Sequence, residues 1–202
     1  MPSIAITGTI GSGKSEFLSL LGQILASFTP TSTFCADDMN RKLLDTDPNV
    51  REAIIQKLGK DTYQTDGKAD RVRLFSMIST DPQARTTLEE IMHPRIESLW
   101  RPEAEKHASS RSTFFVAEIP LLFEKGLESY FSKSIVVGSS DSIRKVRLMR
   151  RSLAPEKVEV WMNLQEPQQG KISKSDHLIW NDGSLEALKN QTSLLASHLL
   201  KQ

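Results

Sequence analysis

The stretch GTIGSGKSE, residues 8–16, limits more than any other feature what this chain can be. It has the spacing of a phosphate-binding loop, in which Gly8 is followed by four residues and then by Gly13, Lys14 and Ser15. The apolar segment SIAIT before the loop predicts a buried strand, and the segment after it has helical apolar spacing. Because the motif requires a strand before it and a helix after it, this context favours nucleotide binding.

The chemistry of such a loop follows from its residue types. Glycines allow backbone N–H groups to point at phosphate oxygens, and the helix that follows adds its positive N-terminal end. We expect Lys14 to contact the β- and γ-phosphates of ATP, and the Ser15 hydroxyl to bind Mg²⁺.

Apolar runs along the chain predict strands that alternate with helices, which indicates an α/β protein with a parallel sheet flanked by helices. The expected strands are Ser3–Thr7, Thr31–Cys35, Thr113–Pro120, Ser134–Gly138 and His177–Trp180. Two helical segments interrupt this pattern, and both follow predicted strands. Ligands gather at the carboxyl ends of strands in such sheets, so both insertions are expected near the loop.

Composition excludes several classes of protein. The 26 Lys and Arg nearly balance the 25 Asp and Glu, which gives no global argument for binding nucleic acid or an acidic membrane. No apolar run approaches the length of a membrane span, and the N-terminus lacks a signal-peptide pattern. The single cysteine, Cys35, fits a reducing compartment, so we expect a cytoplasmic protein.

An acidic pair follows the second predicted strand. Asp37 and Asp38 are both candidates for a general base that accepts the proton of an acceptor hydroxyl, and Asp38 is also a candidate helix N-cap. Arg41 lies one helical turn after Asp37 and could pair with it or with a substrate phosphate.

A short helix near residue 147 carries a cluster of basic side chains: Arg144, Lys145, Arg147, Arg150 and Arg151. Such a cluster is repulsive unless anions neutralise it, so closure over a triphosphate is the favoured interpretation. A solvated helix face and nucleic-acid binding are the alternatives.

Prolines mark several expected helix boundaries. Asp47-Pro48 and Asp81-Pro82 each predict an N-cap followed by proline at the first helical position. Pro94 predicts that a helix ends at His93 and that another begins after it.

The motifs together resemble the dephospho-CoA kinase family over nearly the full length. The similar segments, in order, are ITGTIGSGKSE, ADDMNR, LGKDTYQTDGKADRVRLFSMI, LEEIMHPRI, EIPLLFEKGLESYF, IVVGSSDSIRKVRLMRR, and LQ followed by KISKSDHLIWNDGS. The PLLFE segment, the His-Pro pair and the final D…I-x-N-x-G pattern are more specific than the phosphate loop.

The resemblance implies transfer of the ATP γ-phosphoryl to the ribose 3′-hydroxyl of dephospho-CoA, giving CoA and ADP, with Mg²⁺. It implies a P-loop fold like that of nucleoside monophosphate kinases, with five parallel strands in one kinase unit, residues 1–202. The core would comprise residues of about 1–36, 111–140 and 172–202, an acceptor-binding insertion about 37–110, and a lid about 141–171. No nucleic-acid or membrane partner is implied, and a monomer is the default.

The resemblance also implies roles for individual residues. Asp37 corresponds to the catalytic aspartate, acting with Lys14 and with Arg147, the phosphate-facing lid arginine that Arg151 follows by one turn. Glu118 could face the waters of Mg²⁺, whereas Glu124 is expected to make a structural pair. The residues expected at ATP are Gly8, Thr9, Ile10, Gly11, Ser12, Gly13, Lys14, Ser15, Glu16, Arg147, Asn181 and Gly183. Those expected at the acceptor are Asp37, Arg41, Arg71, Arg73 and His93.

The chain departs from the family pattern at a few positions. Glycine is usual where Thr9 stands, threonine where Glu16 stands, and an Asp-x-Asp sequence where Cys35 precedes Ala36 and Asp37. A carboxylate at Glu16 would repel ATP unless it points outward, and Cys35 is expected to be a buried strand residue. An arginine is also common where Lys171 stands. Another small-metabolite kinase and a nucleotide-binding relative with weak catalysis are therefore the alternative functions.

Overall fold

The computed structural model describes residues 3–108, 113–150, 155–163 and 167–201. The chain divides into two compact units, which we describe separately. The sheet unit comprises Met1–Cys35 and Arg101–Gln202, and the helical unit comprises Ala36–Trp100.

The sheet unit is built on five parallel strands. Their spatial order is β2-β3-β1-β4-β5, so the strand that precedes the phosphate loop is central. The strands are β1 (Ser3–Thr7), β2 (Thr31–Cys35), β3 (Phe114–Glu118), β4 (Lys133–Gly138) and β5 (His177–Trp180). The five-stranded parallel sheet predicted from the sequence is therefore confirmed, with strand ends shifted by at most two residues.

Helices cover the sheet because its central strands are apolar along their length. Every residue of β1 and β3 is buried, which is expected for strands covered on both faces. The described helices of this unit, apart from the end of a helix shared with the other unit, are α1 (Lys14–Ala26), α6 (Asp141–Arg150), α7 (Pro155–Asn163), α8 (Gln168–Lys174) and α9 (Leu185–Leu199). Apolar residues of α1 and α9 form one core with those of the strands.

The helical unit contains α2 (Ala36–Thr46), α3 (Pro48–Leu58), a 3₁₀ turn (Lys60–Thr62), α4 (Arg71–Thr80) and most of α5 (Pro82–Ala108). It has its own apolar core, formed by Leu44, Val50, Ile54, Tyr63, Ala69, Leu74, Ile91 and Met92. The predicted N-caps are present. Asp47 accepts hydrogen bonds from the N–H groups of Asn49 and Val50, and Asp81 accepts them from Gln83 and Ala84.

The predicted helix end at His93 is wrong, because α5 continues through Pro94 without a break. Proline has no N–H, so the carbonyl of Glu90 loses its helical donor. The neighbouring Ile91 carbonyl is satisfied by the Arg95 guanidinium, whose Nη1 donates to it at 2.6 Å. Apolar residues on both sides of the proline, including Ile96, pack into the same core, which holds the two halves of the helix in line.

We predict that Pro94→Ala raises the free energy of unfolding by about 1–3 kcal/mol, since it restores a helical hydrogen bond and removes a ring clash. Urea unfolding followed by circular dichroism measures this change. Pro82→Ala is the matched control: Pro82 stands at the start of the same helix, where proline is favourable, so no gain is expected there. A loss of stability in Pro94→Ala would contradict the explanation.

Candidate active site

The phosphate loop connects β1 to α1 and leaves no room for side chains at two of its glycines. Gly13 is the N-cap of α1 with a φ of 95°, and a Cβ there would lie 2.3 Å from Asn181 Nδ2. A Cβ on Gly8 would lie 2.3 Å from the carbonyl oxygen of Val137 in β4. The loop is thus pressed against the ends of β4 and β5, and glycine is needed for both conformation and space.

Lys14 begins α1 and is buried, with only 7% of its surface exposed. Its Nζ donates to the carbonyl oxygen of Thr9 at 3.2 Å, so the ammonium group is held against the loop. Ser15 and Glu16 follow in the first turn and are exposed. A carboxylate in the first turn interacts favourably with the positive end of the helix, which gives Glu16 a structural reason to be there.

Two side chains hold the outer carbonyl groups of the loop. Asn181, which directly follows β5, is buried and donates from Nδ2 to the Ser12 carbonyl at 2.8 Å. Arg147 on α6 donates from Nη1 to the carbonyls of Ser12 at 3.1 Å and Gly11 at 3.4 Å, and from Nη2 to the Asn181 carbonyl at 2.8 Å. The structure therefore brings together residues that the sequence separates by well over a hundred positions, whereas Gly183 lies exposed in the turn beyond them.

The basic cluster on α6 does not form one solvated face. Arg144 is 4% exposed, and its Nη1 donates to the Thr9 hydroxyl at 2.7 Å. Burial lowers the pKa of Arg144 from its ordinary value, an effect that nearby Asp141 partly offsets. Lys145 pairs instead with Glu159 at 2.5 Å. Sequence reasoning missed the bond between Thr9 and Arg144, although a hydroxyl at a position where glycine was expected was a signal. Arg151 lies outside the described residues.

Glu118 ends β3 beside the loop strand and is 1% exposed. In the neighbouring strand Cys35 stands opposite it, and the Cys35 thiol donates to Glu118 Oε2 at 3.4 Å. Cys35 is half-buried rather than fully buried as expected. A thiol can donate a hydrogen bond to a carboxylate, which an ionised aspartate at the same position could not do.

Two polar side chains connect the segment PLLFE to the rest of the sheet unit. The Thr7 hydroxyl donates to the Pro120 carbonyl at 3.0 Å, and Lys171 Nζ donates to the same carbonyl at 3.2 Å. Lys171, which is 1% exposed, also forms an ion pair with Glu124. The expected structural pairing of Glu124 is therefore present.

Asp182 is a further polar residue that the sequence did not indicate. Its Oδ1 accepts hydrogen bonds from the Ser139 hydroxyl at 2.7 Å and the Ser140 N–H at 2.8 Å, just before α6 begins. Burial would raise the pKa of Asp182, but these hydrogen bonds stabilise the charged form and the net shift is downward. The charged carboxylate thus fixes the chain between β4 and α6, where Arg147 also contacts Ser139.

The candidate base and its neighbours lie in the helical unit. Asp37 and Asp38 are both exposed in the first turn of α2, which begins at Ala36. The interpretation of Asp38 as an N-cap is therefore wrong, since β2 passes directly into the helix. Arg41 forms an ion pair with Asp38 at 3.3 Å. Asp37 was one of the two partners expected for it, the other being a substrate phosphate.

The other acceptor candidates make contacts within the helical unit. Arg71 pairs with Asp45 and Arg73 pairs with Asp61, both at 2.6 Å. Both arginines are about half exposed, at 49% of their side-chain surface, so each retains a face toward solvent. His93 lies half-buried on α5.

These features define a P-loop kinase. The phosphate loop follows the central strand of a parallel sheet, the lysine in that loop is buried, and an arginine-bearing helix lies beside it. Residues 3–187 match the sequence model of the family described as CoaE, dephospho-CoA kinase. The chain belongs to the dephospho-CoA kinase family.

Individual proteins resemble this chain in sequence or in fold. The dephospho-CoA kinase of Syntrophotalea carbinolica is 32% identical, over 98% of this chain and 92% of its own. A crystal structure from Thermus thermophilus, of the protein TT1252, has a TM-score of 0.71 at 27% identity, covering 98% and 97% of the two chains. Dephospho-CoA kinase from Campylobacter jejuni shares the fold with a TM-score of 0.66 at 23% identity, over 98% and 97% of the chains.

We predict that Gly13→Ala destabilises the loop, because a left-handed φ costs a residue with a Cβ about 1–2 kcal/mol and the Cβ also meets Asn181. Urea unfolding measures the stability, and calorimetric titration measures ATP binding, which we expect to be lost. Adding Asn181→Ala relieves the contact but not the backbone strain, and it also removes the hydrogen bond to the Ser12 carbonyl, so wild-type stability is not restored.

The matched control for this prediction is Gly170→Ala, since a Cβ at Gly170 in α8 meets nothing within 4 Å. This variant should be as stable as the original protein or more stable. Wild-type stability and ATP binding in Gly13→Ala would show that the loop does not need its glycine.

Proposed function

We propose that this protein is a dephospho-CoA kinase, which transfers the ATP γ-phosphoryl to the ribose 3′-hydroxyl of dephospho-CoA and releases CoA and ADP. The observation that carries the proposal is the family match, which spans residues 3–187 and so includes both the sheet unit and the helical unit. This is the final step of coenzyme A synthesis in the family.

On the donor side, we assign ATP to the phosphate loop at the N-terminus of α1. The backbone N–H groups of the loop and the positive end of the helix attract the phosphates. The Lys14 ammonium group already lies against the loop backbone. On ATP binding it would exchange its hydrogen bond to the Thr9 carbonyl for hydrogen bonds to phosphate oxygens. Asn181 and Arg147 support the loop from its carbonyl side, which keeps its N–H groups available.

On the acceptor side, we assign the general base to Asp37. Its carboxylate accepts the proton of the 3′-hydroxyl while the oxygen forms a bond to the γ-phosphorus, and the bond from that phosphorus to ADP breaks. Lys14 and Arg147 carry the positive charge expected to stabilise the phosphates in this step. Arg41, Arg71, Arg73 and His93 are proposed to bind the acceptor. For the first three, binding its phosphates would replace the ion pairs with Asp38, Asp45 and Asp61.

The family implies Mg²⁺, and the residues present fit this ion. The exposed Ser15 hydroxyl and the Glu118 carboxylate are oxygen donors, which Mg²⁺ prefers, and Glu118 would act through water. Within the described residues no group of three or more His, Cys, Asp or Glu side chains could hold a metal. Bound Mg²⁺ would neutralise charge on the β- and γ-phosphates, and most of its ligands would be phosphate oxygens and waters.

Cellular location and assembly remain predictions. In the part of the chain that the structure describes, none of the helices is both long and apolar enough to cross a membrane. We propose a cytoplasmic monomer that uses ATP and dephospho-CoA and does not bind nucleic acid.

The deciding experiment is an ADP-release assay with ATP, Mg²⁺ and dephospho-CoA. We predict turnover by the wild-type protein and a fall in kcat of about 10²–10⁴-fold in Asp37→Asn, because the variant keeps the shape of the side chain and loses its basicity. ATP binding, measured by calorimetry, should be unchanged in this variant.

Asp38→Asn is the matched control, since this neighbouring carboxylate is also exposed and is paired with Arg41. It should retain most of the activity. If Asp38→Asn were inactive and Asp37→Asn active, the base would be Asp38. Turnover of AMP or uridine monophosphate without dephospho-CoA turnover would indicate another small-metabolite kinase, and ATP binding without any turnover would indicate a binding protein.

A further inference from the structure

Thr9 connects two cationic side chains through different atoms. Its carbonyl oxygen accepts hydrogen bonds from Lys14 Nζ at 3.2 Å and from the Ser12 N–H at 3.3 Å. Its hydroxyl accepts the Arg144 Nη1 hydrogen bond at 2.7 Å. With 2% of its surface exposed, Thr9 is shielded from water that could replace either contact. The loop lysine and the arginine of α6 are therefore coupled through one residue.

Arg144 depends on this hydroxyl because its side chain has few other partners within the described part of the chain. The side chain is 5% exposed, and among the residues that the structure describes its Nε has no hydrogen-bond partner. The carboxylate of Asp141 lies 3.6 Å from Nη1 and is 71% exposed, so water weakens that ion pair. A buried guanidinium that loses an acceptor is costly, and the side chain would then shift toward solvent.

A shift of Arg144 would be transmitted to the loop because the backbone of α6 lies against it. A Cβ on Gly11 would be 3.1 Å from the Arg144 carbonyl oxygen and 3.3 Å from Leu148 Cγ. Leu148 is 1% exposed, so this face of the helix is packed rather than loosely placed. Helix α6 thus packs directly against the phosphate loop.

We propose that Arg144 and Thr9 are positioning residues, which fix α6 on the phosphate loop and hold the carbonyl that keeps Lys14 in place for ATP. This inference rests on the proposed function, since it concerns ATP affinity. Neither side chain needs to touch ATP. The pair acts before the nucleotide arrives, by keeping the loop in the conformation that receives the phosphates.

Calorimetric titration of the full-length protein with ATP and Mg²⁺ tests the proposal. We expect Thr9→Val, which keeps the side-chain shape and removes the acceptor, to weaken ATP binding about tenfold, the usual scale for a hydrogen bond to a charged group. KM for ATP should rise by the same factor with kcat nearly constant, because the enzyme–substrate complex and the transition state lose the same amount of binding free energy. Thr9→Ser restores the hydroxyl and should recover most of the affinity.

Arg144→Met and the double variant test whether the two residues act together. Since both single changes remove the same bond, the double variant should bind ATP no more weakly than the weaker single variant. Lys145→Met is the matched control on the same helix, because Lys145 pairs with Glu159, and it should bind ATP as the wild type does. The proposal would be overturned if the double variant weakened ATP binding by the product of the two single effects. Wild-type ATP affinity in Thr9→Val would also overturn it.

Hydrogen exchange without nucleotide supplies a second measurement that does not depend on activity. Amides of residues 9–14 should exchange faster in Thr9→Val than in Thr9→Ser, and equal rates would overturn the coupling even if Arg144→Met fails to fold. A wild-type protein that does not bind ATP would overturn both the proposed function and this inference. Normal ATP binding in the wild type and in every variant would overturn this inference alone.

Discussion

The site depends on one constraint: a loop that offers its backbone N–H groups to phosphate must find donors for its own carbonyl groups. Here the carbonyl oxygens of Thr9, Gly11 and Ser12 all accept hydrogen bonds from buried or half-buried side chains. Those donors belong to α1, α6 and the end of β5. Because buried carbonyl groups are costly without partners, the conformation of the loop and the placement of three separate elements stabilise one another.

The parallel sheet makes this arrangement possible. Its strands all end at the same edge, so residues that follow different strands become neighbours. Glu118 at the end of β3 and Cys35 at the end of β2 become neighbours in this way, and Asn181 after β5 contacts the loop. The hydrogen bond from Ser139 to Asp182 then fixes the segment that connects β4 to α6. The kinase chemistry we propose uses this edge on the donor side.

Local sequence pattern was sufficient to predict most helices and strands, but it failed where tertiary packing outweighs local preference. The strands, the loop and the caps at Asp47 and Asp81 were predictable because each depends on residues close in sequence. Pro94 was misread, since the core contacts on both sides of it outweigh the missing hydrogen bond. Asp38 was misread as a cap because nothing local showed that β2 would pass into α2 without a connecting residue.

The sequence by itself determined the fold class, the position of the phosphate loop and the resemblance to one kinase family, because these rest on short motifs and on apolar periodicity. Lys14, Arg147 and Asn181 could be proposed from motifs, and their roles toward ATP remain predictions. Only the tertiary structure decided that Arg144 is buried on Thr9 and that Cys35 donates to Glu118. Side chains from distant segments become partners only once the parallel strands have placed their ends together, and no local pattern encodes which of them meet.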